Sequence, residues 1–157
     1  MRFTSLLVAG MATLASCAPV ALLDGPLSAV NAGNLPPVLQ GLKDIATVGS
    51  NLADNVGTKH FSDADSHVIL NASRDFVQLH QKLMNVMIGK AGLFSVVPEI
   101  GQPVTAALKD DQGAIETLAF ALEDTADLVA ADLRAEFASL DDSIATAVKA
   151  YEGLKLN

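Results

Sequence analysis

Apolar residues recur at alternating steps of three and four along most of the chain, and this spacing constrains the fold more than any other feature. A repeat near 3.6 residues places such residues on one face of an α-helix. The most regular stripe consists of Leu133, Phe137, Leu140, Ile144, Ala147 and Tyr151. Similar stripes run over residues 38–56, 69–87 and 104–122. The pattern predicts an all-α fold, an antiparallel bundle of four to five helices around one core.

Capping residues predict where these helices begin. Asp24 followed by Pro26 favours a short first helix, and Pro36 favours the start of a second. Ser62 and Asp65 resemble a capping box in front of the third helix.

Glycine, proline and capping residues also predict where the helices are interrupted. Gly57 is a stop signal for the second helix. Residues 89–92 (GKAG) predict a break after the third helix, and residues 98–103 (PEIGQP) predict a loop. Thr125 and Asp127 are good caps, so we expect a turn at residues 124–127.

The first residues resemble a secretory signal peptide. Arg2 supplies a positive charge, and residues 6–15 (LLVAGMATLA) form an apolar segment that is too short to span a bilayer. Small residues around Cys17 favour cleavage after it. We therefore expect a signal peptide at 1–17, a single helical domain at 18–157, and a secreted, extracellular or wall-associated protein without a transmembrane segment.

The charge balance and the missing motifs narrow the function classes. Ten basic against eighteen acidic residues give a net charge of −8, which disfavours nucleic acid as a partner because that binding needs cations to neutralise phosphates. The chain contains no G-x-S-x-G, H-E-x-x-H, C-x-x-C or Gly-rich phosphate loop, so we expect no enzyme and no cofactor. No Glu stands three residues before a His, so we expect no metal. We interpret His60, His67 and His80 as partly exposed.

One sequon for N-linked glycosylation is present. Asn71, Ala72 and Ser73 form it, and it falls inside the predicted third helix. Modification requires Asn71 to face solvent.

Four stretches of the chain resemble a known family. They are residues 88–94 (IGKAGLF), 118–122 (LAFAL), 131–133 (ADL) and 144–151 (IATAVKAY). The chain is similar over about residues 22–153 to fungal hydrophobic surface-binding protein A and its relatives, the cell-wall galactomannoproteins. The resemblance implies a secreted or wall-associated helical glycoprotein that binds hydrophobic surfaces or fatty acids and other lipids, and it implies a secreted polymer hydrolase as a further partner. The family has no catalytic motif to transfer.

The candidate ligand contacts lie around the end of the third predicted helix. Methionine adapts to varied apolar ligands and glycine permits a hinge, so we predict a lipid portal beside residues 89–92. The candidate residues are Phe76, Leu83, Met84, Met87, Phe94 and Phe120. The competing interpretation is that all six fill the core, as an apolar stripe at helical spacing usually does.

Two modes of binding and two other classes of protein stay open. An apolar ligand could occupy a tunnel between the helices, or a pair of helices could open and lay its apolar faces on a surface. A structural or antigenic cell-wall protein without a ligand is one alternative class. A bacterial lipoprotein anchored through Cys17 is the other, because residues 14–17 (LASC) fit a lipobox.

Overall fold

The computed structural model describes residues 36–58, 60–94 and 101–152. Its elements are α1 (Pro36–Val56), α2 (Asp63–Phe94), α3 (Gly101–Thr125), the short 3-10 helix η1 (Asp127–Val129) and α4 (Ala130–Glu152). No strand occurs within these residues, so the prediction of an all-α bundle is confirmed. The predicted signal peptide, Cys17 and the short helix predicted after Asp24 lie outside the described residues.

Helix α1 follows the predicted boundaries. Pro36 opens it, at a position where the missing N–H costs no intrahelical hydrogen bond. Gly57 follows it with φ at 71°, a left-handed conformation that glycine adopts without steric cost. The buried residues of α1 are the predicted stripe, Val38, Leu42, Ile45, Gly49, Leu52 and Val56. The inward face of α1 is therefore wholly apolar.

Helix α2 begins where the capping residues predict but ends later than expected. Ser62 Oγ accepts a hydrogen bond from the Asp65 N–H at 3.3 Å and donates one to Asp65 Oδ2 at 2.8 Å. The predicted break at residues 89–92 is wrong, because α2 continues to Phe94. Each helical glycine costs about 1 kcal/mol relative to alanine, and the buried Ala91 between the two glycines keeps this stretch packed on the core.

Helix α3 begins inside the predicted loop. It starts at Gly101, so the expectation of a loop over residues 98–103 is wrong for its last three residues, and residues 98–100 lie outside the described part. Pro103 fits the first turn because the first N–H groups of a helix have no intrahelical partner.

The turn predicted at residues 124–127 is confirmed. Helix α3 ends at Thr125, η1 follows, and α4 begins at Ala130. The Phe61 N–H donates to the Thr125 carbonyl oxygen at 2.8 Å. This bond ties the segment before α2 to the end of α3.

Close packing joins the helices in the order α1, α3, α4, α2. Lys109 pairs with Glu152 at 2.6 Å, and Glu123 pairs with Arg134 at 2.9 Å. Between these two ion pairs the residue number increases on α3 and decreases on α4, so the two helices are antiparallel. The last predicted stripe on α4 is buried in full, as expected.

Helices α2 and α4 run parallel to each other. Arg74 of α2 pairs with Glu136 of α4 at 2.9 Å, and the Tyr151 hydroxyl of α4 donates to the Met87 carbonyl oxygen at 2.9 Å. Helix α3 runs antiparallel to α2 as well as to α4, as predicted for consecutive helices. The α2–α4 neighbours nevertheless run in the same direction, because the packing places side by side two helices that are separated along the chain by α3.

Candidate functional site

Four of the six predicted ligand contacts lie together on α2 and are buried. Phe76 and Met84 are completely enclosed, and Leu83 and Met87 are nearly so. All four belong to the main apolar core. An enclosed side chain touches no space large enough for water, so the closed bundle has no open channel at Phe76 or Met84. A ligand that contacts these residues must separate the helices.

The structure places Phe120 apart from these four residues. Phe120 lies on α3 with 70% of its surface exposed. Phe94 is the last residue of α2, and its side chain lies outside the described part of the chain. Asn71 is exposed on α2, which meets the requirement for glycosylation that the sequence sets; glycosylation itself stays a prediction.

Large exposed hydrophobic side chains of the described residues lie near one end of the bundle. Phe120 comes shortly before the end of α3, Leu128 lies in η1 and is 55% exposed, and Val68 lies early in α2 and is 45% exposed. The start of α2, the end of α3 and η1 meet at this end. These residues are accessible without any opening of the bundle.

Helix α1 differs from the other helices in how it is held. Within the described residues, its side-chain hydrogen bonds stay inside the helix, such as Gln40 to Asp44 at 2.8 Å and Thr47 to the Lys43 carbonyl at 2.7 Å. Hydrogen bonds and ion pairs link α2, α3 and α4 to one another. Helix α1 is therefore joined to the bundle by apolar contacts.

A histidine and an aspartate form a pair inside the bundle. His80 lies near the middle of α2 and Asp111 near the middle of α3, and His80 Nε2 is 2.8 Å from Asp111 Oδ2. Both side chains are completely buried. The His80 ring also makes an edge-to-face contact with Phe76, with ring centroids 5.3 Å apart. The pair crosses the interior between two helices that are not adjacent in the packing order.

Polar bonds to α4 flank this pair on both sides. Gln81, next to His80, donates to Ser139 Oγ at 2.8 Å. Gln112, next to Asp111, donates to Asp141 Oδ1 at 2.5 Å. Three helices thus contribute polar groups to one level, which we call the mid-bundle polar layer (His80, Gln81, Asp111, Gln112, Ser139 and Asp141).

Each member of the buried pair retains a polar atom without a hydrogen-bond partner. These atoms are His80 Nδ1 and Asp111 Oδ1. A buried polar group that lacks a partner costs about 1–3 kcal/mol. The two unpartnered atoms therefore lower the stability of a core that is otherwise mainly apolar.

The sequence interpretation of His80 as partly exposed is wrong, whereas His60 and His67 are exposed as expected. The apolar stripe of α3 passes from Leu108 to Ile115, and Asp111 fills the gap at the correct step. On α2, His80 likewise stands four residues after Phe76. Helical spacing therefore predicts that His80 and Asp111 face inward, provided that polar residues are accepted at inward positions of the stripe.

Burial also affects the only tyrosine of the chain. The Tyr151 ring is buried, and its hydroxyl donates to the Met87 carbonyl oxygen at 2.9 Å. Desolvation raises the pKa of Tyr151 from 10.0 to about 12, because burial disfavours the phenolate. The hydroxyl therefore anchors the end of α4 to α2 as a neutral donor.

The described residues contain no cluster of three or more His, Cys, Asp or Glu side chains that could hold a metal ion. His60 pairs with Asp127 at 2.8 Å, but both side chains are largely exposed. Across the same ranges, no helix combines the length and the apolar character that crossing a bilayer demands.

Comparison with known proteins finds no relatives. No family model matches the chain, no curated protein matches it, and no solved structure matches it. The resemblance to the fungal hydrophobic surface-binding proteins therefore stays a prediction from the sequence.

Proposed function

We propose that this protein is a secreted, non-catalytic binder of hydrophobic surfaces or lipids. Binding uses the apolar interior of the bundle, which helix α1 uncovers by moving away from α3. The observation that carries the proposal is that α1 presents a wholly apolar face and is joined to the other described helices by apolar contacts alone. The leader-like first residues and the family resemblance support the extracellular setting, the cell wall included.

The energetics of such an opening favour an apolar surface over water. Burying one Val, Leu or Ile side chain contributes about 1.5–3 kcal/mol, so the five aliphatic side chains on the inner face of α1 together contribute on the order of 10 kcal/mol. Opening in water loses this free energy. Opening against an apolar surface regains it, because the surface replaces the core as the apolar environment.

The test is a disulfide that locks α1 onto α3. A Cβ built on Gly49 lies 3.7 Å from the Ala114 Cβ, and disulfides need a Cβ separation of about 3.8 Å. The double variant Gly49→Cys/Ala114→Cys, carried with Cys17→Ser, therefore has the Cβ separation that a cross-link requires. The protein is mixed with polystyrene beads in high salt, because salt strengthens apolar association. We expect the oxidised protein to stay in the supernatant and the reduced protein to adsorb to the beads.

Two controls separate opening from simpler adsorption. Gly49→Cys alone should adsorb equally under oxidising and reducing conditions. Phe120→Ser removes the most exposed phenylalanine of the described residues and should leave adsorption of the reduced protein largely unchanged. Equal adsorption of the oxidised and reduced double variant would refute the opening mechanism, and loss of adsorption in Phe120→Ser would place binding at the exposed end instead.

The complete enclosure of Phe76 and Met84 favours a second candidate, a structural wall protein without a ligand. On that reading the bundle stays closed, and neither the wild type nor the reduced double variant adsorbs. Bead recovery therefore separates the two candidates. A secreted polymer hydrolase remains a proposed partner, on the resemblance alone.

A further inference from the structure

We infer that His80 and Asp111 form an interior contact for the head group of a neutral, hydroxyl-bearing lipid. The alkyl tail of that lipid would lie along Leu83, Met84 and Met87 toward the end of α2. This inference rests on the proposed function, because the ligand reaches the interior only when α1 moves. It adds to the proposed function the chemical class of the ligand and the position at which the polar group of the ligand binds.

The position of the pair divides the interior into two apolar parts. His80 and Asp111 lie near the middles of their helices, and the flanking bonds of the mid-bundle polar layer occupy the same level. An alkyl chain that spans the whole interior would have to pass this polar layer. A lipid that ends its polar group there keeps its tail in apolar surroundings.

A hydroxyl group matches the atoms that the pair leaves without partners. His80 Nδ1 and Asp111 Oδ1 are buried and unpartnered. A hydroxyl carries one donor and two acceptor sites, so it donates to the carboxylate oxygen and accepts from the ring nitrogen when that nitrogen bears a proton. It satisfies both atoms when Nδ1 bears a proton, and it satisfies the Asp111 carboxylate oxygen alone when Nδ1 carries none.

A fatty carboxylate fits the same place poorly. A neutral His80 with an ionised Asp111 gives the pair a net negative charge. With one further proton the pair has no net charge, either as imidazolium and carboxylate or as imidazole and carboxylic acid. None of these states compensates a second carboxylate for the loss of its water, and an unpaired buried charge is costly. The site therefore selects a neutral head group.

The side chains next to the pair suit an alkyl tail. Met84 stands one helical turn after His80 and Met87 stands almost two turns after it, both on the buried side of α2. Methionine is unbranched and fills irregular spaces, so it adapts to an inserted chain.

Access to the pair depends on α1. The close approach of Gly49 to Ala114 lies one turn beyond Asp111 on α3. Movement of α1 away from α3 therefore opens the interior at the level of the polar layer. The oxidised Gly49→Cys/Ala114→Cys variant should accordingly exclude the lipid as well as the surface.

The test compares two neutral ligands with the same alkyl chain, of which one has a hydroxyl hydrogen and the other a methyl group in its place. 1-Dodecanol and its methyl ether, 1-methoxydodecane, are used to displace the fluorescent apolar probe N-phenyl-1-naphthylamine, and dodecanoate serves as the charged ligand. We expect the alcohol to displace the probe from wild-type protein at about tenfold lower concentration than the ether, the effect of one hydrogen bond to a charged group. Dodecanoate should displace it no better than the ether.

Variants then assign the preference to the pair. Asp111→Asn keeps the shape but presents an amide donor to the ligand, so the preference for alcohol over ether should fall below about threefold. Asp110→Asn, one residue away and exposed, removes the same charge and should leave the preference unchanged. If Asp111→Asn does not fold, the side-chain ¹⁵N resonances of His80, assigned with His80→Gln, should shift with the alcohol and not with the ether.

The outcomes separate this inference from the proposed function. Probe binding with equal displacement by alcohol and ether, or with dodecanoate as the best ligand, would overturn the inference and leave surface binding intact. A preference that survives in Asp111→Asn would also overturn it. Failure of the wild-type protein to bind either the probe or the beads would overturn both.

Discussion

Replacing His80 and Asp111 by leucine, singly and together, measures what the buried pair contributes. His80→Leu leaves a carboxylate in the core with no hydrogen-bond donor, because Nε2 at 2.8 Å is the donor that Asp111 has in the structure. Removing one partner of a buried charged pair costs about 3–5 kcal/mol. Asp111→Leu leaves a neutral ring that lacks an acceptor, and should cost about 1–3 kcal/mol.

The double variant should recover most of this loss. Leucine has the branching of aspartate, and a leucine at position 80 can pack against Phe76, whose ring contacts the His80 ring in the structure. Replacing a buried pair by apolar residues of similar volume is often neutral or stabilising by about 1–4 kcal/mol. We therefore expect His80→Leu/Asp111→Leu to be at least as stable as the wild type, although the smaller side chain at position 80 offsets part of the gain.

Urea unfolding followed by far-UV circular dichroism at neutral pH gives the four free energies of a double-mutant cycle. An equal denaturant slope in all four proteins shows that the same structure unfolds. A double variant as unstable as His80→Leu would refute the reasoning, because it would show that the pair stabilises the fold beyond what apolar packing supplies. A coupling energy near zero would show that the two side chains do not interact in solution.

Other variants test the remaining features of the bundle. Gly89→Ala and Gly92→Ala should each raise the free energy of unfolding by about 1 kcal/mol, since nothing lies within 4 Å of the added methyl group; a lower Tm would indicate that α2 is broken there. Met87→Trp should cost on the order of 1–3 kcal/mol by overpacking, whereas unchanged stability with loss of probe binding would place open ligand space at Met87. The pKa of Tyr151 is raised to about 12, so its contribution to stability is present below about pH 10 and lost as pH rises through 12. The chain has one Tyr and no Trp, so phenolate absorbance follows this group directly, and titration at the ordinary pKa would contradict its burial.

The fold could be predicted from the sequence because apolar spacing and capping chemistry agree along most of the described chain. The inward face of α1 matches the predicted stripe residue by residue, and Ser62 and Gly57 mark helix boundaries as their chemistry requires. The break predicted at residues 89–92 failed because it weighed two glycines without the burial of Ala91 between them. Local propensity decides an exposed helix, but tertiary packing overrides it here.

The candidate site was harder to predict because its central residues are polar. His80 and Asp111 occupy inward positions at helical spacing, yet a stripe defined by apolar residues omits both. Their meeting also depends on the packing order of the helices, which places α2 and α3 across the interior from each other. Spacing within each helix does not specify that order, so the pair could not be predicted without the structure.

The buried pair and the weak attachment of α1 act on the same equilibrium. An unpartnered Asp111 Oδ1 in the core makes the closed state less favourable than an apolar core would, because opening returns that atom to water. Helix α1 adds no polar bond to the other described helices that opening would have to break. On the proposed function, both features lower the free energy of opening without changing the apolar area available to a surface. It follows that His80→Leu/Asp111→Leu, which keeps that area and stabilises the closed state, should adsorb to beads more slowly than wild type. Faster adsorption would mean that the exposed end around Phe120, and not the interior, meets the surface first.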